Sequence, residues 1–196
     1  MSEPGGKRLR SSLPACRAHR AALGSGRRQN LPAAVEEGLC GVATFLAELA
    51  YRLEALAKIF EQDSVALPRA AAFFHAESQN ERSRAEAMLD YLNQRGGLYC
   101  GKDIKCPGCE GTCALLPALE LTLVQRKEQM AVMAELSQLA REHGDAHTAG
   151  VVRSRFLAPL APRVKRLGDL VTNARRLGPG WGEYLMERLQ DEMGGD

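Results

Sequence analysis

The stretch spanning residues 63–97, DSVALPRAAAFFHAESQNERSRAEAMLDYLNQRGG, constrains the fold more than any other part of the chain. Asp63 and Ser64 offer side-chain oxygens to a helix start, and Pro68 suits a first-turn position whose N–H has no helical partner anyway. Gly96 and Gly97 supply the stop. Phe74, Met88 and Leu92 fall on one stripe at helical spacing. The middle of that stripe runs through Glu77, Glu81, Arg84 and Ala85, and a carboxylate is rarely buried unless it is paired or holds a metal. A helix apolar at both ends and charged in the middle of its inner face predicts a four-helix bundle with a polar site inside.

The flanking sequence supplies the other helices. Over residues 33–60, Val35, Leu39, Val42, Leu46, Leu49, Leu53, Leu56 and Phe60 repeat every three or four positions. Residues 96–114 form a connection long enough to cross the bundle. Leu116, Leu119, Leu123, Met130 and Met133 mark a third helix ending near Gly144, with Arg126 on its inner stripe. A fourth helix over residues 146–177 has a seam of Phe156, Leu160, Val164, Leu167, Val171 and Ala174. Pro159 and Pro162 lie in its middle and predict a bend, since each removes a backbone hydrogen bond. Gly178-Pro179-Gly180 ends it, and residues 181–193 form a short fifth helix.

Few aromatics (5%) beside abundant Ala and Leu favour helices over sheet, and a net charge of +2 gives no argument for nucleic acid. No apolar run approaches the ~20 residues of a membrane span. Residues 1–27 carry Lys7, Arg8, Arg10, Arg17, Arg20 and Arg27 against Glu3 alone. They read as a disordered basic tail ahead of a domain at 28–196, or as a mitochondrial presequence, although Pro4 and Gly5-Gly6 spoil an amphipathic helix there. The cytoplasm is the default location.

The segment ALPRAAAFFHAESQNERSRAEAMLDYLNQRGG, followed by KDIKCPGC, resembles the second helix and following loop of animal ferritin subunits. Arg28-Gln29-Asn30, the GD-x-x-TN run ending at Asn173, and Gly182-Glu183-Tyr184-Leu185 fit the same family in the same order. The resemblance implies an all-α, ferritin-like four-helix bundle with a long crossover between the second and third helices and a short fifth helix. It also implies iron as substrate, and heavy- or light-type subunits as partners in a 24-subunit shell.

Catalytic ferritin chains oxidise Fe(II) at a di-iron site built from carboxylates and an imidazole. The matching positions here are Leu46, Glu81, Arg84, Arg126 and Leu160, so Glu81 is the residual iron-ligand position. Guanidinium cannot be deprotonated in a protein and cannot ligate iron. The expectation is an internal cluster in which Arg84 and Arg126 neutralise Glu81; the alternative is that these arginines extend outward unpaired. The acidic iron-access channel of the family is replaced by Gly150 and Arg153, with Arg155 close by. The carboxylates on which light-type chains nucleate mineral are replaced by Ala76, Gln79, Asn80 and Ser83, leaving Glu77 and Glu86 as weak survivors.

Cys100, Cys106, Cys109 and Cys113 crowd into the long connection. Four thiolates can hold zinc tetrahedrally or form disulfides, and in a cytoplasmic surface loop reduced thiols are the plain reading. His75, His143 and His147 read as surface or capping residues. Three functions follow: a catalytically inert subunit with a structural place in an iron-storage shell, an interaction protein that keeps the ferritin scaffold without handling iron, and, last, a working ferroxidase.

Overall fold

The computed structural model describes residues 13–14, 25–101, 103–104, 108 and 111–188. In order they form α1 (Ala33–Phe60), α2 (Pro68–Gln94), α3 (Leu115–Glu142), α4 (Ala146–Val151), a π-helical segment (Val152–Leu157), α5 (Leu160–Leu177) and α6 (Trp181–Arg188). Among the described residues there is no strand, and no helix is long and apolar enough to cross a membrane. α1 packs mainly on α2, and α3 on the rod made by α4, the π segment and α5. This is the four-helix bundle with a short additional helix that the periodicity predicts.

The seams of α1 and α2 fall where hydropathy puts them: Leu46, Leu53, Phe60, Phe74, Met88 and Leu92 are all buried. α3 is turned slightly from expectation. Leu116, Leu123 and Met130 are half-buried flanks, and the inner face carries Thr122, Gln125, Arg126 and Gln129 beside Leu119 and Met133. The core consists of two apolar clusters. One holds Leu39, Leu46, Met88, Leu92, Met133, Phe156 and Leu160; the other holds Leu53, Phe60, Phe74, Leu119, Leu167 and Val171.

The expected bend in the fourth rod takes the form of a widened turn. Ala158 donates back five residues to the Arg153 carbonyl (2.9 Å), while Val152, Ala158 and Pro159 keep right-handed helical backbone angles. A wide turn moves carbonyls out of the path of the Pro159 ring, which in a regular α-helix would strike the carbonyl four residues back. α5 then restarts at Leu160, which makes Pro162 a first-turn residue whose missing N–H costs nothing.

Helix α2 starts differently from expectation. Asp63 and Ser64 lie in an exposed turn, Leu67 is the flanking residue without a side-chain cap, and Glu187 of α6 accepts from Arg69 N (2.6 Å) and Ala70 N (3.2 Å). Glu183, one turn earlier on α6, accepts from Leu115 N at the start of α3 (2.8 Å). Two glutamates on one short helix thus satisfy orphan donors of two long ones. Residues 189–193 of the expected fifth helix lie outside the described residues.

Residues 25–30 wrap the end of α2. Gly96 has a positive φ of 72°, and a Cβ there would meet Ser25 Oγ at 2.6 Å and Arg28 N at 2.7 Å. Arg95 donates to the carbonyls of Gln29 and Asn30, and Arg28 pairs with the fully buried Glu36 at 2.7 Å. Within the tail expected to be featureless, Leu13 packs against the first apolar cluster and the Pro14 carbonyl lies over Gly41. The rest of residues 1–24 falls outside the described residues.

Candidate functional site

A polar layer fills the inner face of α2 and its neighbours. Glu77, Glu81 and Arg84 project from α2 at i, i+4 and i+7; Arg126 and Gln129 come from α3, one turn apart; Arg163 comes from the first turn of α5. Arg126 is the centre. Its Nη1 lies 2.6 Å from Glu81 Oε1 and donates to Gln129 Oε1 at 2.9 Å, while its Nη2 donates to Glu77 Oε2 at 2.5 Å. Gln129 Nε2 donates in turn to Glu81 Oε2 at 2.5 Å. Arg84 reaches Glu81 at 3.5 Å, and Arg163 stands 3.7 Å from Glu81 and 4.0 Å from Glu77.

Burial grades this layer from the inside out. The Glu81 and Arg126 side chains are 0% and 2% exposed, Arg84 13%, Glu77 18% and Arg163 32%. Arg126 therefore does not extend outward, which removes the unpaired alternative for that residue. Burial holds the Arg84 guanidinium below its ordinary pKa, and the Arg163 and Arg126 cations push the same way against the attraction of Glu81 and Glu77. Leu46 and Leu160 are fully buried in the first apolar cluster, so they offer no donor to the layer.

The two carboxylates in this layer, Glu77 and Glu81, are both engaged by Arg126. Among the described residues no group of three or more His, Cys, Asp or Glu side chains is arranged to hold a metal. The two weak carboxylate survivors part company: Glu77 turns into the layer, while Glu86 is exposed on α2. Cys100 is half-buried, Cys113 is an exposed free thiol, and Cys106 and Cys109 lie outside the described residues.

Two members of the layer escaped sequence reading. Gln129 follows Arg126 by one turn on the same face, a spacing that could have found it. Arg163 shares its turn with Val164, and hydropathy alone assigns that place in the seam to the valine; both are half-buried. The histidines are better engaged than expected. His75 bridges Glu54 (3.2 Å) and Glu61 (2.9 Å), tying α2 to α1, and His147 stacks on Tyr91 and contacts its hydroxyl at 2.8 Å.

Comparison with known proteins bears on the same bundle. Residues 42–177 match the family described as Ferritin-like domain. The chain is 34% identical to soma ferritin of Lymnaea stagnalis over 164 residues, 84% of this chain and 94% of that one. It is 33% identical to the ferritin light chain of Bos taurus over 170 residues, 85% and 97% of the two chains. Against the middle subunit of Aquarana catesbeiana ferritin the identity is 32% over 164 residues, covering 82% and 93%.

Proposed function

The chain belongs to the ferritin family, and from that premise we propose that it is an iron-storage subunit which contributes structure to a shell and does not oxidise iron. One observation carries this reading: Arg126 Nη1 stands 2.6 Å from Glu81 Oε1 in a fully buried pair, where a cation would have to sit. A fixed positive charge there repels Fe(II) and occupies the carboxylate that would bind it. The exposed Arg153 and Arg155 support the same reading, because their field disfavours cation approach along that face of the fourth rod. Storage then depends on other ferritin subunits that supply the oxidation step, with this chain filling places in a mixed shell of 24 subunits. The working compartment is the cytoplasm, with mitochondria as the alternative that the basic residues 1–27 would direct; fractionation of cells expressing the full chain with a C-terminal tag separates the two.

Stopped-flow Fe(II) oxidation by the purified chain should match the protein-free rate. Mixed with a heavy-type chain, it should elute in a large shell whose oxidation rate follows the fraction of heavy-type subunits. Oxidation by the chain alone well above the buffer rate defeats the inert reading. Failure to enter the shell would mean that the chain keeps the scaffold for another interaction.

A further inference from the structure

The polar layer holds three guanidinium groups, Arg84, Arg126 and Arg163, against two carboxylates, a surplus of one positive charge inside the bundle. The carboxylates are used up first. Both Glu81 oxygens face Arg126 or Gln129, and Glu77 Oε2 accepts from Arg126. What remains for Arg163 is 3.7 and 4.0 Å away, beyond hydrogen-bond reach, and its Nη1 is a buried nitrogen with no hydrogen-bond partner. Arg84 reaches Glu81 at 3.5 Å, the outer limit of a bond, while burial first and the Arg163 and Arg126 cations after it disfavour its charge. A desolvated donor left unsatisfied is costly, more so on a charged group.

We propose that this layer binds one small inorganic oxyanion of the phosphate class, held between Arg163 of α5 and Arg84 of α2. Such an anion cancels the surplus charge and gives the unsatisfied nitrogen an acceptor. Guanidinium presents planar, forked donors that match two oxygens of a phosphate, a geometry a monatomic anion cannot use. Access is graded the right way: the outer Arg163 is a third exposed and Arg84 slightly so, while Arg126 behind them is sealed. Glu81 Oε1 lies 3.5 Å from Arg84 and 3.7 Å from Arg163, and Glu77 Oε1 lies 4.0 Å from Arg163, so both carboxylates border the anion; Arg126, 2.6 Å from Glu81 Oε1 and bonded to Glu77, offsets their charge. The site rests on the reading that no iron pair occupies the layer, but not on whether the chain enters a shell.

Calorimetric titration of the purified full-length chain with inorganic phosphate at low salt tests this, with sulfate and chloride at matched ionic strength. The expected result is saturable binding of a single phosphate per chain, competition by sulfate, and no comparable heat from chloride. Arg163→Gln and Arg84→Gln should each weaken phosphate binding about tenfold or more, the loss of a charged hydrogen bond, and Arg153→Gln on the exposed rod should leave it unchanged. If Arg163→Gln fails to fold, Arg163→Lys keeps the charge without the fork and should still bind more weakly. Saturation no different from chloride, or unchanged affinity in the folded Arg163 and Arg84 variants, overturns the proposal. Fe(II) oxidation measured in the same buffer without phosphate stands apart: inert iron with no phosphate binding removes this site alone, whereas rapid oxidation removes the inert-subunit reading.

Discussion

At the scale of single residues, Arg126 decides what the interior tolerates. Its removal strands Glu81, which has no exposure to water, so Arg126→Met should destabilise the chain by about 3–5 kcal/mol. Replacing both members, Glu81→Met with Arg126→Met, should recover part of that loss, because apolar side chains often replace a buried pair at little cost, while Glu77 is left with Arg163 alone. Urea unfolding of the two variants checks both; a double variant as weak as the single one would show that the pair itself stabilises the bundle. Asp145 is a second case. Burial would raise its pKa, but the Thr148 hydroxyl, the Thr148 N–H and Arg95 outweigh that and hold the carboxyl below its ordinary value. A carboxylate whose folded pKa lies below its unfolded one contributes its full stability above the unfolded value of ~3.9, and that contribution is lost as pH falls through the folded value. Asp145→Asn should therefore flatten the acid limb of the stability profile, as followed by circular dichroism. Arg84 and Arg126 were legible in the sequence because cations on an apolar stripe have no cheap place to go, whereas Arg163 was hidden beside Val164. Gln129 was not, since a lone amide on a helix face fits solvent equally well.

At the scale of elements, the long helices could be read directly, since their three- and four-residue spacing is a local property. Helix starts could not. Asp63 and Ser64 carry the right chemistry close to Pro68, yet the acceptors for the first turn of α2 come from Glu187, 118 residues away in the chain from Arg69. Glu187→Ala should cost about 1 kcal/mol and speed amide exchange at Arg69 and Ala70, leaving the centre of α2 protected. Unchanged exchange there would mean that water serves the first turn just as well. The prolines show the same limit. Their composition predicts a disturbance of the fourth rod, but the widened turn that lets the rod continue past Pro159 depends on backbone geometry over six residues, Val152–Leu157.

At the scale of the whole molecule, α6 clasps the starts of α2 and α3 and turns its other side outward. Trp181, the only tryptophan, is 78% exposed and Tyr184 50%. Its fluorescence should resemble that of free indole in the isolated chain and shift to the blue when copies associate over this face; emission unchanged between small species and shell would place the contact elsewhere. The arrangement of the bundle followed from the stripe on α2, whereas the lodging of Leu13 and Pro14 did not, because nothing in a basic, glycine-containing tail marks two residues for contact. That contact has a consequence. A methyl group at position 41 would overlap the Pro14 carbonyl, a backbone atom that cannot swing aside, while alanine suits α1 better than glycine by about 1 kcal/mol. Gly41→Ala thus acts as a release catch: one added carbon prises Leu13 and Pro14 off their seat while tightening the helix beneath them.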